Sequence, residues 1–454
     1  MAKIKLDKEY LKRLCKLTAP ISFQTLMLAL VAASDSFMLG KLSQEAMSAV
    51  SLATEIQFVQ NMFIFAITGA SIILGSQYAG KGDRAAVRDI FCLILRISGV
   101  ISIVFCVACE ICPSLLMSFF TSEQSLIQLG ADYLRIAGWS YLLTGITQCY
   151  ITVLKFTGKE KAGAAISAGA VILNIALNAI FIFGLCGMPS MGVRGAALAT
   201  TVSRICEIIA VIAYSFRPGC IRPTVRGLFR RNRLLSRDYF KNLLPLTGAS
   251  LLWGFGLTFY TSVIGHYDTD VTAANAVCVV VRELMCSACD GICNAGGIIV
   301  GSELGKGDTE KGRDYGNKTA VVAFGVAIIS CLLVWAVSPL ALSFVSLNER
   351  ATELLRDMML ILGVYMIGRS INSILINGIF ASGGDNLFDV YSLILCQWCI
   401  SMPLSYLAAF VFDFPPQAVY LFTCFDEIVK TPWVFIHFKK YKWVKDLTRD
   451  NIAE

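Results

Sequence analysis

Twelve stretches of this chain stay apolar for the length of a membrane crossing, near 15–40, 46–78, 88–112, 125–153, 161–184, 191–216, 240–265, 270–302, 315–340, 350–380, 386–410 and 415–437. About 20 consecutive apolar residues span a bilayer as a helix. The hydrocarbon core supplies no water to the backbone, and a helix satisfies its own N–H and C=O groups within the segment. Hydrophobic residues make up 56% of the 454 and charged residues 16%, far from the balance of a soluble chain. The chain therefore reads as a polytopic membrane protein.

The halves repeat. Gly75-Ser76-Gln77-Tyr78-Ala79-Gly80-Lys81-Gly82-Asp83 returns about 225 positions later as Gly301-Ser302-Glu303-Leu304-Gly305-Lys306-Gly307-Asp308, each closing a long apolar run. At the same offset Lys16 and Pro20 meet Lys241 and Pro245, Gly40 meets Gly265, and Ala49 meets Ala274. Solenoid repeats have periods of tens of residues, so a period of half the chain marks duplication of a multi-helix unit. The expected fold is an all-α integral membrane protein with twelve transmembrane helices in two pseudo-symmetric six-helix bundles. Repeated halves in an apolar chain point to a secondary transporter.

Basic residues fall on one side of this arrangement. Lys3, Lys5, Lys8, Lys12 and Arg13 precede the first span, and Lys81, Arg84 and Arg88 follow the second. Lys155, Lys159 and Lys161 follow the fourth, and Arg217, Arg222, Arg226, Arg230, Arg231, Arg233 and Arg237 follow the sixth. The opposite loops hold little more than Lys41, Arg194 and Arg350. This bias predicts that both termini are cytoplasmic in a multi-pass protein of the plasma (inner) membrane. The expected divisions are a six-helix lobe over 1–216, a basic cytoplasmic linker over 217–238, a second six-helix lobe over 239–440 and a cytoplasmic tail over 441–454. The linker's arginines would also suit anionic lipid, although a cytoplasmic connection is the simpler expectation.

The net charge of +7 follows from topology and needs no nucleic-acid partner. No removable signal peptide is expected, because the first span is long and lacks a small-residue cleavage site. Most of the seventeen cysteines lie inside apolar spans, where cysteine acts as a small hydrophobe. With only His266 and His437 there is no spacing for a zinc or haem site. The sequence has no GxxxxGK[ST] phosphate loop, which argues against ATP drive. No cofactor and no enzymatic activity are expected.

A charged side chain at mid-span costs roughly 2.5 kcal/mol or more, so each needs a cavity, a partner or a function. Asp35 lies in the outer part of the first span and shares a face with Gln24. It could bind a proton or a sodium ion, or cap the helix end. Gln57, Asn61 and Thr68 form a stripe on the second helix that fits cavity lining or interhelical hydrogen bonding. Ser167, Asn174 and Asn178 fall within a narrow arc of the fifth span, where amide oxygens could coordinate a cation. In the eighth span Glu283, Asp290 and Asn294 share a face and Arg282 points elsewhere. That face is either a cation path or an ion-pair network with Arg282 or with Arg369 of the tenth span. Arg204 and Glu207, three apart, are expected to pair.

Several motifs together are specific. They are Pro20 with Asp35-Ser-Phe-Met-Leu-Gly40, Gly75–Asp83, Asn174-Ile-Ala-Leu-Asn178-Ala-Ile-Phe-Ile-Phe-Gly184 and Gly192-Val-Arg-Gly-Ala-Ala-Leu-Ala-Thr200. With Leu252-Trp-Gly-Phe-Gly256, Gly301–Asp308, the Ala381-Ser-Gly-Gly-Asp385 turn, Trp398 and Pro403, the chain resembles the multidrug and toxic compound extrusion (MATE) transporters over almost its whole length. The resemblance implies two lobes that export substrates through a central cavity in exchange for sodium or protons.

It further implies an N-lobe cation site at Asp35, Asn174, Asn178 and Thr200, with no metal beyond sodium at Asp35. Two departures stand out. The second fifth-helix position is often Asp, so Asn178 removes a negative charge and moves the balance toward a proton. Where many relatives carry Asn-Glu before the Leu-Trp-Gly of the seventh helix, this chain has Ala249-Ser250.

The expected function is multidrug efflux: a cation-coupled (H+ or Na+) antiporter exporting small organic, amphipathic or cationic compounds by alternating access. Gln57, Asn61, Glu283, Asp290, Asn294, Arg282 and Arg369 are its candidate substrate-cavity residues. Its partners are a small-molecule substrate and membrane lipids, and it acts as a monomer. The alternative is a lipid-linked oligosaccharide flippase of the same superfamily, in which the arginines would meet pyrophosphate.

Overall fold

A computed structural model describes residues 6–230, 232–344 and 348–449. Lys3, Lys5, Arg231 and the last residues of the tail lie outside the described residues. Among the described residues every long element is a helix. In the first half these are α1 (Lys8–Leu42), α2 (Gln44–Lys81), α3 (Arg84–Ile111), α4 (Gln124–Phe156), α5 (Glu160–Phe183) and α6 (Gly192–Ser215). In the second half they are α7 (Arg233–Gly265), α8 (Thr269–Gly305), α9 (Thr309–Phe344), α10 (Glu349–Phe380), α11 (Leu387–Phe410) and α12, which runs Pro416–Thr423 and then Phe425–Phe438. Twelve long helices, six per half, match the apolar runs.

Among the described residues nine of these are long and apolar enough to cross a membrane on length and composition alone. The other three are α4, α8 and α12. Each carries acidic and basic residues within its run: Asp132 and Arg135 in α4, Arg282, Glu283 and Asp290 in α8, and Asp426, Glu427 and Lys430 in α12.

The repeated motif has a local reason. Gly82 ends α2 with φ +84°, its N–H bonds to the Ala79 carbonyl, and the Asp83 N–H reaches back to the Tyr78 carbonyl. Gly307 does the same after α8 at φ +81°, with Asp308 N–H on the Glu303 carbonyl. Only glycine takes this left-handed conformation without strain. The following Asp then caps the next helix: Asp83 accepts from Ala85 and Ala86, and Asp308 from Lys311. One four-residue signal thus stops a helix, reverses the chain and starts another.

Pro20 and Pro245 sit twelve residues inside α1 and α7, which begin at Lys8 and Arg233. Neither proline falls in a first turn, because both helices start well before the membrane run on polar residues that favour helix. The chain packs as two compact units, one holding residues up to Ser22 with Lys241–Arg449, the other Phe23–Phe240. Their boundaries fall inside α1 and α7.

Each unit is built around its fourth helix. In the first, α4 packs on α2, α3 and α6, and α5 packs on α6. In the second, α10 packs on α8, α9 and α12. Buried Gln60 of α2 knits the first unit, donating to the Tyr141 carbonyl of α4 at 2.9 Å and to Ser102 Oγ of α3 at 3.2 Å. In the second, the last turns of α10 (Ile374–Phe380) widen to a π-helix, and Gly378 and Gly297 let α10 and α8 touch backbone to backbone. A Cβ on Gly378 would stand 2.9 Å from the Cys293 carbonyl oxygen.

Candidate functional site

Asn174 and Asn178 lie one turn apart on α5 and so point the same way. Asn178 Nδ2 donates to Asp35 Oδ1 of α1 at 2.5 Å and to Asn174 Oδ1 at 3.3 Å. Asn174 Nδ2 in turn donates to Thr200 Oγ1 of α6 at 3.3 Å. The four residues expected from the sequence therefore form one hydrogen-bonded chain across three helices. Asn174, Asn178 and Thr200 are buried, and Asp35 is half-buried. Asn178 Oδ1 is buried with no hydrogen-bond partner among the described residues. A buried amide oxygen without a partner beside a carboxylate is an unusual and unfavourable arrangement unless something binds there.

Glycine makes this alignment possible. A Cβ on Gly195 of α6 would lie 2.6 Å from the Phe181 carbonyl oxygen of α5, so the two helices touch here. Thr200 follows little more than a turn later.

A second polar chain runs through the same unit. Gln24 Nε2 donates to Ser167 Oγ at 3.1 Å, Ser167 Oγ donates to Glu207 Oε1 at 3.0 Å, and Arg204 Nη1 reaches Glu207 Oε2 at 2.6 Å. Arg204 and Glu207 pair as their spacing predicts. Gln24 and Ser167, which share faces with Asp35 and Asn174 in sequence, are engaged with this ion pair. On α2, Asn61 is exposed and Gln57 half-buried, while the interhelical bonds come from Gln60, which the sequence stripe did not single out.

The second unit places its charges differently from the acidic face read along α8. Arg282 pairs with its neighbour Glu283 at 3.2 Å, and Asn294 spends its amide on the Asp290 carbonyl of its own helix. Arg369 of α10 turns to Glu427 of α12 at 3.1 Å. Glu427 is a hub: Asn372 Nδ2 donates to its side chain at 2.7 Å, and Lys430 Nζ lies 3.6 Å away. The sequence reading missed Glu427, Lys430 and Asp426. Their signal was available, since charges midway along the last apolar run require partners as Asp35 does.

Beside this hub lies a cavity of about 30 Å³, bordered by Tyr260, Arg282, Tyr365, Gln397, Tyr420 and Asp426. It has room for one or two waters and none for an organic molecule. Tyr260 OH, Gln397 Oε1 and Asp426 Oδ1 are buried there without a hydrogen-bond partner among the described residues. Gly256, in the Leu252–Gly256 motif, leaves the space that the Gln397 amide fills, and Trp398 Nε1 donates to the Leu252 carbonyl at 3.1 Å.

Two six-helix units with duplicated turns and polar groups chained across their interiors define a multi-pass membrane transporter rather than an enzyme. The MatE family profile matches residues 20–180 and again 245–407, starting at the equivalent prolines Pro20 and Pro245. The chain belongs to the MatE family of transporters.

It is 23% identical over 441 residues to the uncharacterized transporter YisQ of Bacillus subtilis, covering 95% of each chain. It is 21% identical over 451 residues to the probable multidrug resistance protein NorM of Thermotoga maritima, covering 98% of this chain and 96% of that one. Among solved structures, the fold is shared with the MATE transporter VcmN of Vibrio cholerae in its bent form, with a TM-score of 0.84, 17% identity and coverage of 95% and 97%. A MOP superfamily transporter from Pyrococcus furiosus matches with a TM-score of 0.85, 16% identity and coverage of 96% and 98%.

Proposed function

We propose that this transporter is a cation-coupled antiporter that exports small organic, amphipathic or cationic compounds by alternating access. The observation that carries the reading is the chain Asp35–Asn178–Asn174–Thr200, a single carboxylate held by amides with a buried oxygen left unpartnered beside it. A proton or a sodium ion arriving here replaces the amide N–H as the partner of Asp35. A ligand shifts a conformational equilibrium by its differential affinity for the two states. An ion that reorders contacts among α1, α5 and α6 therefore has a lever on the first unit. The donor set suits H+ or Na+ and no other cofactor.

The multidrug resistance relatives support an organic substrate. In the flippase alternative, cavity arginines would bind pyrophosphate, whereas here Arg369 is engaged with Glu427 and Arg282 with Glu283. The one-sided distribution of basic residues supports cytoplasmic termini in the plasma membrane. Each unit closes its own core, which supports a monomer acting as two lobes divided near the 217–238 linker.

The test is reconstitution into proteoliposomes and efflux of a panel of cationic dyes under separately imposed sodium and proton gradients. Efflux that follows one gradient and is lost in Asp35→Asn supports the reading. Efflux driven by neither gradient, or unaffected by Asp35→Asn, overturns it.

A further inference from the structure

We propose that a groove between α3 and the first turns of α7 is a binding site for an anionic phospholipid of the leaflet that faces the basic linker. The groove has a volume of about 650 Å³ and is lined by Arg96, Arg233 and Arg237 among apolar Leu93, Ile97, Val100, Ile101 and Phe240, with Ser236. That combination matches a phosphodiester headgroup joined to acyl chains. Guanidinium groups take phosphate oxygens in paired hydrogen bonds, and the apolar walls take the first methylenes.

Arg96 requires such a partner. It lies twelve residues into α3, about 18 Å along the helix, inside the apolar run. A cation at that depth is unfavourable unless paired, and Arg96 Nε is buried without a hydrogen-bond partner among the described residues. None of the three arginines makes an ion pair with a described carboxylate.

The neighbouring linker has the character of a headgroup-level segment. Its short helix Val225–Phe229 rests on α3, where Gly227 meets Cys92. Val225 and Phe229 stand 76% and 85% exposed, each directly followed by an arginine, Arg226 and Arg230, the mixture of apolar and basic groups that lies in a membrane interface. The apolar walls of the groove continue from there, with Val100 of α3 63% exposed and Phe240 of α7 41% exposed.

The test titrates purified full-length protein in neutral detergent with dioleoylphosphatidylglycerol, reading bound lipid by native mass spectrometry and thermal stability in parallel. Dioleoylphosphatidylcholine and glycerol phosphate serve as the zwitterionic and chain-free probes. The expected result is retention and stabilisation by phosphatidylglycerol alone.

The triple variant Arg96→Gln/Arg233→Gln/Arg237→Gln should bind it on the order of a hundredfold more weakly, since each basic residue near an anionic headgroup contributes roughly fivefold. The control Lys161→Gln/Arg217→Gln/Arg222→Gln removes equal charge outside both the groove and the Val225–Phe229 helix and should retain binding within about twofold. Val100→Trp keeps every charge and obstructs the groove from its exposed wall, so it should also lose the lipid, which guards against misfolding of the triple variant. Equal losses in triple and control, unchanged binding in Val100→Trp, or equal stabilisation by glycerol phosphate would each overturn the proposal.

Discussion

Asn178 donates its amide hydrogen to Asp35 at 2.5 Å while its own carbonyl oxygen is buried without a partner among the described residues. The amide supplies the carboxylate with one hydrogen-bond donor and leaves the charge of Asp35 in place. Asp35→Asn removes the charge but keeps the shape. Gradient-driven dye efflux in proteoliposomes should then fall to the level of protein-free vesicles while the folded yield stays near that of the parent.

Asn178→Asp introduces a second carboxylate at hydrogen-bond distance from Asp35. Two carboxylates there repel unless a cation lies between them. The variant should gain sodium dependence, with efflux driven by a sodium gradient rising relative to efflux driven by a proton gradient. An unchanged ratio would show that position 178 does not set ion choice.

Gly195→Ala places a methyl group 2.6 Å from the Phe181 carbonyl oxygen, against backbone that cannot rotate away. Overpacking of this kind costs about 1–3 kcal/mol. Because α6 must move off α5, Thr200 should separate from Asn174. We expect a lower thermal midpoint together with weakened ion dependence of transport, both measurable on one preparation.

Glu427→Gln removes the charged carboxylate that Arg369 and Lys430 both contact. Removing one member of a buried ion network typically costs about 3–5 kcal/mol. Thermal unfolding in detergent should drop sharply, and Arg369→Gln in the same background should recover part of the loss. A double variant no more stable than the single one would mean that the three groups do not act together.

Glu303, at the end of α8, is subject to burial, which raises its pKa, but hydrogen bonds from Arg13 and Lys306 outweigh this and hold the carboxyl below its ordinary value. The stabilisation from this depressed pKa is present above the unfolded-state value, ~4.3, and is lost as pH falls through the folded-state value. Thermal midpoints scanned from pH 7 down to pH 3 should show an acid loss that is smaller in Glu303→Gln, whose midpoint at pH 7 should already be lower.

Much of this protein was legible in its chain. Twelve apolar runs became twelve helices because the hydrocarbon core leaves the backbone no other partner. The Gly-Lys-Gly-Asp turns are local: a positive φ, a reversed chain and a capping carboxylate all lie within four residues. The meeting of Asp35, Asn174, Asn178 and Thr200 followed from family motifs and helical spacing, and α5 and α6 are adjacent in the chain, which limits the ways they can pack.

The second unit was less legible for a definite reason. Arg369 and Glu427 lie 58 residues apart on helices that are not consecutive, and Gln397 meets Gly256 from 141 residues away. Spacing along one helix sets which residues share its face, but not which helix that face will meet. The sequence by itself determined the helices, their turns and the single carboxylate of the Asp35–Asn178–Asn174–Thr200 chain. Only tertiary packing decided that Arg369 of α10 would pair with Glu427 of α12, because a buried charge takes whichever counter-charge the neighbouring helix brings within reach.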